Sequence, residues 1–187
     1  MESVGMIAVE RRFVNEVRGE GMITPEFVHT MAAYNAELNR RVYGAAGRLP
    51  DAERRADGGA FWKSILGTLA HVYWADRMWL SRLGVGKPPE VPIGQSDRII
   101  EDFDALWAAR QRLDAEIEAW AAGVEPAALE GELEWFSGAT RRQMRKPRAL
   151  CVMQVFNHQT HHRGQVHALL TRAGEDTGAT DLPFVLP

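Results

Sequence analysis

Residues 147–174 read PRALCVMQVFNHQTHHRGQVHALLTRAG, and they decide how the rest of the chain is interpreted. Pro147 stands where a helix can begin, because proline is favoured at the first helical position, and Gly174 is a natural helix stop. Four of the six histidines of the chain lie within residues 158–167 of this segment. We therefore expect one long helix, ending near Ala173, that carries the chemistry of the protein.

Two of these histidines share one face of the predicted helix. At about 100° per residue, His158 and His162 are about 40° apart, on the side that also carries Val155 and Val166. Imidazoles one helical turn apart can bind the same divalent ion. The alternative is a pair of hydrogen-bonded core histidines or a solvated polar patch. Burying both rings without a shared partner would leave the ring nitrogens of each histidine in need of a separate hydrogen-bond partner. We therefore predict that the two histidines point into the protein and bind one metal ion together.

A third ligand is predicted in residues 61–83, FWKSILGTLAHVYWADRMWLSRL. This segment is apolar on almost every side, which is typical of a helix in the middle of a bundle. His71 is its only histidine. A single histidine among apolar neighbours usually has a structural role. Here, however, His71 can supply the third metal ligand that His158 and His162 need. Three neutral imidazoles leave an ion with its full charge and an open coordination position, as in catalytic sites.

Two more helices and a small insert complete the predicted architecture. A first helix over 25–45 has Thr24 as its N-cap, and Ser96 is predicted to cap a third helix that continues to Trp120. The three prolines of 84–94 indicate a crossing loop, and the turn within 129–147 indicates a hairpin. The predicted fold class is therefore all-α, a four-helix bundle with a long crossing loop and a small hairpin insert.

Length and composition exclude several classes of protein. The 187 residues fit one domain, and we expect residues 1–21 to be an N-terminal extension and residues 22–187 to be the bundle domain. The net charge of −3 argues against nucleic acid, and no apolar run is long enough for a membrane span. Cys151, the single cysteine, cannot form an internal disulfide, which favours a cytoplasmic protein. It lies two turns from His158, and we interpret it as a small buried hydrophobic residue.

Several polar residues near the histidines are assigned roles from their positions on the predicted helices. Asn157 and Gln165 flank the pair, and either could orient an imidazole by accepting its second N–H. Asp76 is predicted as a surface or salt-bridge residue, and Arg163, which faces away from the pair, as a member of an ion pair. Tyr34 is predicted as a core residue, with a hydroxyl that could hydrogen-bond a metal-bound water if it reaches the pocket.

Three parts of the chain resemble the DinB family: Tyr34-Asn35, the string SILGTLAHVYWADRMWLSRL around His71, and FNHQTHHRGQVHALLTRAG around His158 and His162. The resemblance covers residues 22–187. It implies a four-helix bundle, often dimeric, in which the same three histidines hold the metal. Glu37 departs from the pattern, because many relatives carry a tryptophan there, and we expect altered packing or polarity near the pocket.

The resemblance also suggests a class of reaction. The broader superfamily includes thiol-dependent S-transferases and a mycothiol-dependent isomerase, while many DinB proteins have no established reaction. We predict a damage-inducible, homodimeric, cytoplasmic S-transferase that acts on a small-molecule substrate, uses zinc, nickel or iron, and takes a low-molecular-weight thiol. Alternatives are a metal-dependent hydrolase, a non-catalytic metal-binding stress-response protein and an interaction module built on the tryptophan-rich second helix.

Overall fold

The computed structural model describes residues 21–186. The predicted N-terminal extension therefore lies, apart from Gly21, outside the described residues. In chain order the elements are α1 (Pro25–Arg48), α2 (Asp51–Arg55), α3 (Ile65–Arg82), a 3₁₀ helix (Ile93–Arg98), α4 (Phe103–Ala122), a second 3₁₀ helix (Pro126–Leu129), β1 (Glu132–Ser137), β2 (Arg142–Pro147), α5 (Arg148–Arg172) and α6 (Leu182–Val185). The mostly helical fold and the small hairpin predicted from the sequence are confirmed.

The helix starts follow from local capping chemistry. Thr24 caps α1 as predicted, because its Oγ1 accepts a hydrogen bond from the backbone N–H of Phe27 at 3.3 Å. Helix α3 begins four residues later than the predicted segment, with Ser64 as its N-cap. Lys63 precedes it with a φ of 65°, a left-handed conformation that a right-handed helix cannot continue through.

The predicted start of the third long helix is wrong. Helix α4 begins at Phe103, and its N-cap is Asp102, whose Oδ1 accepts from the N–H of Ala105 at 2.8 Å. Ser96 lies instead in the first 3₁₀ helix and is completely buried. The crossing connection between α3 and α4 is thus longer than predicted and carries a buried polar side chain toward α3.

Two apolar clusters lie at opposite ends of the four long helices. One contains the C-terminal parts of α1 and α5 and the N-terminal parts of α3 and α4. The other contains the opposite ends of the same helices. Helices α1 and α5 therefore run in one direction, and α3 and α4 run in the other. Helix α3 packs directly against α5, which places the two predicted histidine-bearing helices side by side.

A buried polar layer separates the two clusters. It contains seven side chains from the four long helices: Asn35, Asn39, Asp76, Arg110, Asp114, Gln159 and Arg163. Arg110 bonds Asp76 at 2.5 Å and Asp114 at 2.8 Å, so Asp76 forms the predicted salt bridge but in the core and not on the surface. The guanidinium of Arg163 donates to the amide oxygens of Gln159 and Asn35, in place of the predicted ion pair.

The hairpin and the C-terminal tail attach to the outside of the long helices. Strands β1 and β2 pair antiparallel, and Trp135 of β1 packs edge-on against Trp79 of α3 at 5.5 Å between ring centroids. The C-terminal tail ends in the short helix α6. The Tyr34 hydroxyl donates to the carbonyl of Thr180 in the tail at 2.6 Å, so it is used away from the histidines. Over residues 21–186, no helix combines the length and the apolar character that crossing a bilayer demands.

Candidate metal centre

The structure brings the three predicted histidines together between α3 and α5. His71, His158 and His162 each offer one ligand atom, and these atoms all lie within 4.8 Å of one another. The Nε2 atoms of His71 and His158 are 3.3 Å apart. His71 and His162 are buried, and His158 is partly exposed. The cluster therefore lies near the surface of the α3–α5 pair with its ring nitrogens turned toward a common point.

One pair of these nitrogens has the spacing of two ligands that share a metal ion. Zinc binds imidazole nitrogen at about 2.0–2.1 Å in tetrahedral geometry, which separates two ligand nitrogens by roughly 3.3 Å. The Nε2 atoms of His71 and His158 have this separation. The donor set consists of three imidazoles, so it would supply no negative charge to an ion. Three such ligands leave a fourth position open to a small molecule.

Ser96 fixes the orientation and the tautomer of His71. The Ser96 hydroxyl donates to the carbonyl of Ile93 at 2.7 Å, and its Oγ lies 2.8 Å from Nδ1 of His71. Because the single hydroxyl proton is already used, Oγ accepts a hydrogen bond from Nδ1–H. Nε2 then keeps its lone pair, on the side that faces His158. Sequence reasoning missed this role because a serine before an apolar helical stripe resembles an N-cap.

Gln165 has the corresponding role for His162. Its Oε1 lies 2.8 Å from Nδ1 of His162 and accepts a hydrogen bond from the ring N–H, as predicted. Asn157, the other predicted partner, is exposed, and its side chain makes no hydrogen bond within residues 21–186. Nδ1 of His158 is buried without a hydrogen-bond partner in the same range. Two of the three rings are thus held through Nδ1, whereas Nε2 of His158 lies 3.3 Å from Nε2 of His71.

Tryptophan side chains form one wall of the cluster. Trp62 stacks on His71 with ring centroids 4.1 Å apart and planes 24° from parallel. Trp74, one turn after His71, donates from Nε1 to the carbonyl of Val91 at 2.7 Å. This bond fixes the crossing loop that delivers Ser96. The loop, the two indoles and α3 therefore hold His71 from several sides.

Burial keeps the cluster uncharged at neutral pH. Burial, together with the charges of the neighbouring imidazoles, lowers the pKa of His71 to about 3 and that of His158 to about 4. Burial also lowers the pKa of His162, although the hydrogen bond to Gln165 opposes the shift. A metal ion binds the neutral imidazole, so at pH 7 the ligands need not lose a proton first.

The stability of the metal-free protein should depend on these low pKa values. Between about pH 6.5 and pH 4, His71 and His158 bind protons in the unfolded chain but not in the folded one. The free energy of unfolding has its full value above pH 6.5. It falls as the pH is lowered, by at most about 1.4 kcal/mol per pH unit for each ring. Urea unfolding with chelator present, at pH values from 4 to 8, measures this slope.

Two variants isolate the contribution of the cluster to that slope. We expect His158→Gln to make the slope shallower, because one titrating ring is removed. His29→Gln, at an exposed histidine outside the cluster, should leave it unchanged. Equal slopes in the wild type and His158→Gln would contradict the low pKa of the buried ring.

Comparison with known proteins agrees with this architecture. The sequence model of the DinB family matches residues 22–186. The chain belongs to the DinB family. It is also similar to a DinB-like protein from Bacillus cereus whose crystal structure is known, with a TM-score of 0.56 and 19% identity over 76% of this chain and 89% of that one. At this identity the likeness shows the fold alone. No protein of curated function matches the chain.

The remaining residues singled out in this DinB protein lie outside the histidine cluster. Cys151 is buried and is not among the three potential ligands, which agrees with its interpretation as a small core residue. Glu37 forms ion pairs with Arg40 and Arg41 on its own helix. His167 bonds the hydroxyl of Thr177 in the tail. None of these side chains adds a ligand to the cluster.

Proposed function

We propose that this DinB protein binds one divalent metal ion through His71, His158 and His162 and acts as a thiol-dependent S-transferase. The observation that carries the proposal is the group of three converging imidazoles, two of them held through Nδ1. Zinc, nickel and iron all accept imidazole ligands, and any of them suits this donor set. The substrate would be a small molecule with an electrophilic centre.

The metal, when bound, supplies a positive charge that lowers the pKa of a thiol at its open position. In the transfer, the thiol sulfur forms a bond to an electrophilic carbon and the leaving group departs with its bonding electrons. The thiol proton passes to solvent. The protein's own contribution is to keep the three rings neutral and oriented, through burial, Ser96 and Gln165, and to exclude water from one side with Trp62.

The composition of the cluster bears on the choice between a thiol and water as the nucleophile. Its potential ligands, among residues 21–186, are three histidines without a carboxylate that could serve as a general base. A free thiol has a pKa of about 8.5, whereas that of water is near 15.7, so a thiol needs far less help to lose its proton. A three-histidine site can also lower the pKa of bound water to about 7, so the hydrolase stays the alternative that the thiol panel tests.

Metal analysis followed by a thiol panel tests the proposed function. Protein prepared without chelator should contain about one divalent ion per chain, and it should couple one or more low-molecular-weight thiols to a chromogenic electrophile. His162→Ala must abolish the coupling. Protein without bound metal would overturn the whole proposal. Metal without turnover of any thiol would overturn the transferase and leave the non-catalytic metal-binding protein, and ester cleavage without thiol would favour the hydrolase.

Ser96→Ala should weaken metal binding without unfolding the protein. Loss of a residue that orients a ligand typically costs about 10- to 100-fold in metal affinity, and Ser96 is the only oriented partner of His71 Nδ1 among the described residues. Competition with a chromogenic chelator gives the Kd. Ser81→Ala is a matched control, because Ser81 Oγ only donates to the carbonyl of Met78. Equal affinities in both variants would refute the role of Ser96.

The proposal also includes the type of helix bundle, the oligomeric state, the cellular location and the expression of the protein. Antiparallel packing of α1 and α5 against α3 and α4 supports a four-helix bundle of the DinB type. A homodimer, a cytoplasmic location and damage-induced expression remain predictions from the sequence. Sedimentation velocity at several protein concentrations would test the first of these.

A further inference from the structure

Phe61, in the turn that precedes α3, is an exposed apolar side chain next to the histidine cluster. It is 76% exposed. Its ring centroid lies 5.2 Å from that of Trp62, with the two planes 78° apart, and Trp62 in turn stacks on His71 with centroids 4.1 Å apart. Phe61 is thus one aromatic ring removed from a predicted metal ligand. We call Phe61 and Trp62 together the aromatic corner.

The backbone holds the aromatic corner in a defined shape. The N–H of Lys63 donates to the carbonyl of Ala60 at 2.8 Å and closes the turn, and Lys63 itself has a φ of 65°. On α3, a Cβ at Gly67 would lie 2.7 Å from the carbonyl oxygen of Trp62, so glycine is what lets the turn pack this closely on the helix. A left-handed lysine and a glycine within a helix both reduce stability. Burial of the phenyl ring does not offset these two costs, because Phe61 stays in solvent.

A second exposed apolar side chain adjoins the cluster from the crossing loop. Ile93 is 39% exposed, and its carbonyl accepts the hydrogen bond of the Ser96 hydroxyl that holds His71. His158 is itself partly exposed. Apolar groups from two separate segments therefore reach solvent close to the three imidazoles.

The arrangement of the rings suits a third aromatic ring. The lone pair of His71 Nε2 lies in the plane of its own ring, and the Trp62 indole is stacked beside that plane, 24° from parallel. A small molecule that extends from Nε2 toward this side meets the indole and then Phe61. Aromatic rings prefer edge-to-face or offset contacts, and two rings 78° apart offer both to a ring that enters between them.

We propose that the aromatic corner binds a planar aromatic or conjugated group of the small-molecule substrate while the reacting centre of that substrate lies at the histidine cluster. This inference rests on the proposed function and names a class of substrate. The substrate is an electrophile whose ring is attached at or next to its reacting carbon, because the corner begins one ring away from His71. Phe61 is a substrate-binding residue and takes no part in the chemistry.

Two hydroxamates test the aromatic corner without any thiol. Benzohydroxamate and acetohydroxamate offer the same two oxygens to a metal and differ in a phenyl group that replaces a methyl group. Each is titrated into cobalt(II)-substituted protein, and the visible absorption of cobalt reports binding. Burial of the ring and an aromatic pair together predict about tenfold tighter binding of the phenyl probe in the wild type.

Variants of Phe61 show whether this preference comes from the aromatic corner. Phe61→Ser should lower the phenyl-to-methyl ratio of affinities to about two, because Trp62 remains, and Phe61→Tyr should keep the full ratio, because the ring is retained. Phe61→Ser should fold normally, since the side chain that it removes is exposed. A ratio near one in the wild type, or an unchanged ratio in Phe61→Ser, would overturn the proposal.

Phe184→Ser is the matched control. Phe184 is also 76% exposed, but it lies in α6, which packs on α1. This variant should keep the full ratio, and an equal loss in both serine variants would count against the aromatic corner. Sedimentation velocity adds a second check. If Phe61→Ser alters the oligomeric state and leaves the ratio unchanged, the ring belongs to a contact between copies of the chain, and the proposal is wrong.

The same probes separate failure of the aromatic corner from failure of the proposed function. A phenyl preference that depends on Phe61, in a protein that couples no thiol to an electrophile, would uphold the corner and reject the transferase. Thiol transfer without a phenyl preference would reject the corner alone. Protein that binds no cobalt would reject both.

Discussion

His162→Ala is expected to lose more than about 100-fold in affinity for divalent metal. The estimate is a lower bound, because loss of a residue that merely orients a ligand already costs about 10- to 100-fold. At a metal concentration of 1,000 times the Kd, the wild type should gain about 4 kcal/mol in free energy of unfolding. That gain corresponds to roughly 8–16 °C in Tm for a chain of this size. At the same metal concentration, which is at most about ten times its own Kd, His162→Ala should gain no more than about 1.4 kcal/mol, or roughly 3–6 °C in Tm.

His161→Ala is the matched control for this loss. His161 is the next residue on the same helix, but it is exposed and is not among the three potential ligands. Its removal should leave the metal-induced shift in Tm within about a degree of the wild type. Thermal melts with chelator and with zinc, and calorimetric titration of zinc, measure both quantities. A retained shift in His162→Ala, or an equal loss in both variants, would show that the metal binds elsewhere.

The three histidines could be found from the sequence because helix geometry alone relates two of them. A spacing of four residues places His158 and His162 on one face of α5, however that helix packs in the fold. His71 is the one histidine in the segment that is apolar on almost every side. Ser96 could not be found in the same way. Its role depends on a 3₁₀ helix within the crossing loop, and such short segments leave no hydrophobic period in the sequence.

The polar layer shows a second limit of the sequence. Asp76 is the only acidic residue in an apolar helix, which is compatible with an exposed position as well as with a buried ion pair. The partner that decides between these, Arg110, lies 34 residues later on another helix. Arg163 likewise faces away from the histidines, but its partners Asn35 and Gln159 are uncharged. Pairing between helices depends on how they pack, and a pattern along one helix does not contain that information.

Arg110→Met should be among the most destabilising single substitutions in the core. The side chains of Arg110 and Asp76 are both about 1% exposed, and Arg110 also contacts Asp114. Removing the guanidinium leaves two buried carboxylates without their cation, and breaking a buried pair in this way costs about 3–5 kcal/mol. Asp76→Asn should cost less, because Arg110 keeps Asp114. Arg77→Met, which breaks the exposed pair with Glu116, should cost about 0–1 kcal/mol.

The loss in Arg110→Met should itself depend on pH, in a direction that identifies the carboxylates as its cause. Burial already raises the pKa of Asp76 to about 6 and raises that of Asp114, although Arg110 opposes both shifts. Without Arg110 both values must rise further. A carboxyl group with a raised pKa in the folded state contributes stability that is present at low pH and is lost as the pH rises through that pKa. The difference in free energy of unfolding between variant and wild type should therefore be smaller at pH 5 than at pH 8.

Urea unfolding of both proteins with chelator, compared at each pH, cancels the contribution of the histidines, which both proteins share. A difference that stays constant from pH 5 to pH 8 would mean that lost packing, and not unpaired charge, destabilises the variant.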